Sequence, residues 1–100
     1  MDYRNNPRHD RKLFLEKIRE QAIEYISNTP PHDTIVYIDV PDFKLSPDSF
    51  DLYGSFSVFL FANRRKILEQ FVKYDWPNGV IVQLSIGYKT SLSFSWYNQF

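Results

Sequence analysis

The chain has 100 residues, 12 Lys+Arg against 12 Asp+Glu, no cysteine and an aromatic share of 18%. That length predicts a single domain around one core, and the zero net charge speaks against a dedicated duplex nucleic-acid binder, whose affinity rests on neutralising phosphates. The lack of cysteine leans towards a reducing, cytoplasmic setting. The polar first ten residues do not read as a secretory leader, so none is expected, and the longest apolar run, Val58 to Ala62, is too short to cross a bilayer, so no membrane partner is expected.

In chain order, Met1 to His9 reads as a mobile polar tail, and the single globular domain spans 10–100. Asp10 is a good N-cap for a helix over Arg11–Ser27. Phe14, Leu15, Ile18, Ala22, Tyr25 and Ile26 fall on one face of it. Asn28-Thr29-Pro30-Pro31 stops that helix, because proline neither donates nor follows a helical residue comfortably. Ile35 to Val40 is rich in β-branched residues and predicts a strand, closed by Pro41. Asp42 to Ser49 follows as a polar connection. The stretch Phe50 to Ala62 predicts a second strand, with Phe56, Val58 and Leu60 on one face and Phe59 and Phe61 on the other, as in a central strand.

Asn63 can cap a second helix, Arg64 to Tyr74, with Ile67, Leu68, Phe71 and Val72 inward. Asp75 to Gly79 is a turn in which Gly79 supplies positive φ. Val80 to Ile86 and Ser91 to Tyr97 complete the set. The last alternates closely, with Ser91, Ser93 and Ser95 against Leu92, Phe94 and Trp96, the pattern of a strand wet on one face and buried on the other. The order α-β-β-α-β-β predicts an α+β fold: a four-stranded, mainly antiparallel sheet with two helices packed on one face.

Residues that carry chemistry are sparse. The two histidines, His9 and His32, form no metal-ligating set. Serines sit in strand alternation and not in a nucleophile elbow. Gly54, Gly79 and Gly87 are too far apart for a phosphate loop. The expectation is a non-enzymatic protein with no cofactor and no metal. Two partial likenesses define alternatives. Asp42-Phe43-Lys44, downstream of Asp33, resembles the acid-x-Lys element of restriction-like nucleases, which implies a small metal-dependent nuclease using Asp33, Asp42 and Lys44; here the element follows Pro41 instead of lying inside a strand. Tyr53-Gly54-Ser55-Phe56-Ser57-Val58-Phe59 resembles the aromatic strand of an RNA-recognition module. That implies a single-stranded nucleic-acid binder using Tyr53, Phe59, Arg64 and Arg65, although such modules open on a strand and this chain opens on a helix.

The charges are unevenly spread. Residues 33–51 carry one cation, Lys44, against five aspartates, a net −4; residues 52–100 carry five cations against two acids, a net +3. In the acidic stretch, aromatic residues are interleaved: Asp39, Asp42, Phe43, Asp48, Phe50, Asp51, Tyr53. Carboxylates steer a protein towards a basic partner, and aromatic anchors then hold it. The expected function is therefore an inhibitor of the immunity-protein or antitoxin type, which blocks a protein with a basic surface such as a toxin nuclease. The serine-lined strand Ser91–Tyr97, read as a sheet edge, offers a route to a homodimer.

Overall fold

The computed structural model describes residues 6–28, 34–38, 43–87 and 91–97. In chain order these form α1 (Asn6–Asn28), β1 (Thr34–Ile38), α2 (Pro47–Tyr53), α3 (Phe56–Ala62), α4 (Arg64–Val72), a single 3₁₀ turn (Pro77–Gly79), β2 (Ile81–Ile86) and β3 (Leu92–Tyr97). The class is α+β, as expected, but with four helices and three strands among the described residues.

The long first helix follows its apolar spacing. Phe14, Leu15, Ile18, Ala22 and Ile26 are all buried on one face. Tyr25 departs from the expected face: it is partly exposed, and its ring edge rests on Phe94 at 6.2 Å. The helix also starts earlier than its spacing suggests. Residues 6–9 are helical, with Pro7 in the first turn, where a missing N–H is harmless. Asp10 is consequently an interior residue of α1 and not its N-cap. The expected tail is corrected for residues 6–9, and residues 1–5 lie outside the described set.

The sheet has the order β1-β3-β2, and both pairings are antiparallel. The registers Val36↔Phe94↔Leu84 and Ile38↔Leu92↔Ile86 put one parity of side chains on the inner face. There α1 and α4 cover them. Phe71 of α4 meets Trp76 at 4.8 Å and Phe94 at 6.2 Å, and Phe94 stacks on Trp96 at 5.4 Å. The indole Nε1–H of Trp76 donates to the Phe71 carbonyl over 3.0 Å, so the buried ring carries no orphaned donor. The outer face holds Ile35, Tyr37, Gln83, Ser85, Ser93 and Ser95, with Ile35 and Tyr37 strongly exposed. Gly79 takes φ +66°, as its place at the turn requires.

Two expectations fail here for physical reasons. The segment predicted as a second strand, residues 50–62, is α2 and α3 instead. Its apolar residues satisfy period two, but Phe56, Phe59 and Leu60 also satisfy helical spacing, and Ser55 caps the turn: its Oγ accepts from Val58 N–H over 3.2 Å. A helix closes its own hydrogen bonds locally, whereas a strand there would have needed a neighbour. The second failure is the position of β3. It pairs on both sides, with β1 and with β2, so it has no free edge to offer a second copy. The homodimer expected through that strand is not available by this route.

The candidate functional site

Between β1 and α4 the chain builds a corner from residues 43–62. Ser46 starts it, as N-cap of α2 with extended backbone (φ −64°, ψ 159°) and an Oγ that accepts from Ser49 N–H over 3.5 Å. Pro47 follows in the first helical turn and Asp48 adds a carboxylate there, both favourable at a helix start. Gly54 at φ +83° ends α2, its N–H donating to Phe50 O over 2.7 Å.

Two adjacent residues of α1 hold the ends of this corner. The buried Asp10 carboxylate (3% exposed) accepts from Ser46 N–H at 3.2 Å and from Ser46 Oγ–H at 2.8 Å. Arg11 Nη1 donates to Asn63 Oδ1 over 3.0 Å, and the Asn63 amide donates to Phe59 O over 2.8 Å. Asn63 thus takes the expected N-cap position of α4 and joins α3 to it, but its side chain makes no cap hydrogen bond to α4. Between the two ties lies an aromatic cluster: Phe14 meets Phe43 at 5.7 Å and Phe56 at 5.5 Å, and Phe56 meets Phe59 at 6.0 Å.

The outer side of the corner is different. Phe50, Leu52, Val58 and Phe61 are 46–66% exposed, although the helices that bear them have only seven residues each. Phe50 also lines a groove of about 690 Å³, together with Phe43, Lys44, Leu45, Pro47, Asp51 and Phe56. That volume falls within the range of ~300–1,000 Å³ common to ligand sites.

Of the residues expected to bind a partner, Phe43, Phe50 and Asp51 meet in this groove. Phe50 and Asp51 are exposed, while Phe43 is half-buried against Phe14 and Phe56. Tyr53 turns away to rest its ring on Phe59 at 5.4 Å. Asp48 is half-buried in the first turn of α2 and does not line the groove. Asp39 and Asp42 lie outside the described residues. Sequence reasoning missed Leu45, Pro47 and Phe56 as groove lining and Leu52 and Val58 as exposed apolar residues. The run Ser46-Pro47-Asp48, an N-cap followed by proline and an acid, is the signal that would have announced α2.

The residues behind the other readings are also placed. Phe59 is fully buried and presents no stacking face. Arg64 folds over the Phe61 ring at 4.0 Å and donates to Phe61 O over 2.7 Å. Lys44 lines the groove, while Asp33 and Asp42, its expected companions, lie outside the described residues. Among the described residues no three His, Cys, Asp or Glu side chains gather as a metal site, and no helix is long and apolar enough to cross a membrane.

Fold and site together define an α+β domain whose helical corner carries an open, largely apolar groove. Compared with known proteins, the chain matches no family model, no curated protein and no solved structure.

Proposed function

We propose that this is a non-enzymatic binding protein that blocks another protein, in the manner of immunity proteins and antitoxins, and that the α2–α3 corner is the surface it uses. The observation that carries this reading is the exposed Phe50 lining a groove that Asp51 also lines, on helices that further expose Leu52, Val58 and Phe61. Single exposed apolar residues are ordinary on any protein; several large ones on two consecutive short helices, one of them lining a concave apolar groove, are features that binding surfaces favour. The net −4 of residues 33–51 supports a partner with a basic surface. The cysteine-free composition suits action in the cytoplasm.

The test is affinity capture from the cells of origin with wild-type protein and with a Phe50→Ser/Asp51→Lys variant whose fold is verified by circular dichroism. Wild type is expected to retain a specific protein that the variant loses. Equal retention by both places the binding surface elsewhere and ends the reading.

A further inference from the structure

We propose that β1 is a docking edge, and that it takes up an extended segment of another protein as a further strand of the sheet. This goes beyond the reading above: no residue of β1 lines the groove, and the two surfaces are tested apart. The first argument is the open main chain. In the order β1-β3-β2, β1 is bonded to a strand on one side only, and among the described residues nothing pairs with the other side. N–H and C=O groups of alternate residues in Thr34–Ile38 therefore point outward, a template for another strand. The devices that usually blunt such an edge are missing from it. Thr34–Ile38 holds no charged residue and no proline, and its register runs from Thr34↔Trp96 to Ile38↔Leu92 without a bulge.

The second argument is what the edge displays. Ile35 and Tyr37 stand on the outer face, 69% and 76% exposed, more than any other large apolar side chain described. An added strand runs about 4.8 Å from its neighbour and would lay alternate side chains beside both. One occupant then satisfies the backbone and covers the apolar pair. A helix laid on the outer face would cover the side chains and leave the edge unbonded. The sheet's other edge strand, β2, exposes Gln83 and Ser85 instead, so the apolar display belongs to β1. The occupant is accordingly an extended segment with β-branched or aromatic residues at every second position. A second copy of β1 fits less well. Paired antiparallel about Val36, it would set position 33 against position 39 at each end, both aspartate, and like charges directly opposite are unfavourable.

The probe is a fluorescein-labelled peptide of about seven residues in which Thr alternates with Ile, Val and Tyr. N-methyl groups on alternate residues leave it one edge for pairing. A control peptide of the same sequence carries N-methyl on every residue. The first peptide is expected to bind and to slow amide exchange in β1 but not in β2. The control is expected to bind at least about tenfold more weakly. Ile35→Thr with Tyr37→Thr, its fold verified by circular dichroism, is expected to weaken the first peptide by about threefold or more, while Val72→Ser, on an exposed site of α4, leaves it unchanged. No binding of the first peptide, equal binding of both, protection at β2 instead of β1, or binding indifferent to the double variant overturns the inference. So does sedimentation of the protein alone as a dimer that the double variant dissolves, because the occupant of the edge would then be a second copy.

Discussion

The half of the molecule made from α1, α4 and the sheet and the corner made from α2 and α3 use similar apolar residues to opposite ends. In the first, Phe14, Ile18, Phe71, Val82, Phe94 and Trp96 all finish in one core. In the second, Phe59 and Leu60 are buried while their neighbours Val58 and Phe61 face outward, as do Phe50 and Leu52. A helix of two turns has one face to bury. A run that is apolar on every side, such as Phe56-Ser57-Val58-Phe59-Leu60-Phe61, must leave part of itself in water. Each large side chain left out forgoes about 1.5–3 kcal/mol of burial. In a 100-residue chain, whose stability is expected to be about 5–15 kcal/mol, that forgone burial is a large fraction of the whole, and the partner proposed above would recover it by covering the same side chains.

The sharpest way to test this division is in the core. Phe71→Ala empties the space between Trp76 and Phe94 and is expected to cost about 3–5 kcal/mol in urea denaturation. A loss below ~1 kcal/mol would mean that the core half is looser than its packing implies.

Next in size comes the tie between the halves. Asp10→Ala leaves Ser46 N–H without its acceptor and is expected to cost about 1–3 kcal/mol. Amide exchange should quicken in residues 46–63 more than in β3, because the tie holds the corner to α1 and not the sheet. Uniform quickening would show that both halves open as one unit. The exposed face of the corner should behave in the reverse manner. Phe50→Ser with Leu52→Ser is expected to change stability by no more than about 0.5 kcal/mol while abolishing partner capture. A large loss of stability would place those side chains in the core. Smallest of all is Lys73→Ala. It removes an exposed i,i+4 pair with Glu69 at 2.9 Å and should shift stability by less than about 0.5 kcal/mol.

Legibility in the sequence followed the same boundary. The buried faces of α1 and α4, except at Tyr25 and at Val72, which was expected inward and is exposed, the alternation of β3 and the positive φ of Gly79 were readable, because each is a local pattern. The corner was not. Phe50 to Ala62 fits a two-residue and a 3.6-residue repeat at once over a short span, and the deciding residues were the caps Ser46, Ser55 and Gly54. Of the acidic aromatic segment, the structure brings Phe43, Phe50 and Asp51 to one groove. Tyr53, by contrast, rests its ring on Phe59, as an aromatic residue with a buried neighbour will.

By itself the sequence determined the α+β class, most of the inner faces of α1 and α4, the inner face of β3, and the turn at Gly79, because periodic burial and glycine's freedom are properties of neighbouring residues. Only the tertiary structure decided that β3 is the central strand, that the fold has three described strands, and that Asp10 serves Ser46 at a separation of 36 residues and Arg11 serves Asn63 at 52. Those outcomes depend on which distant groups arrive at the same place to satisfy a buried carboxylate or an open edge, and local spacing carries no record of that.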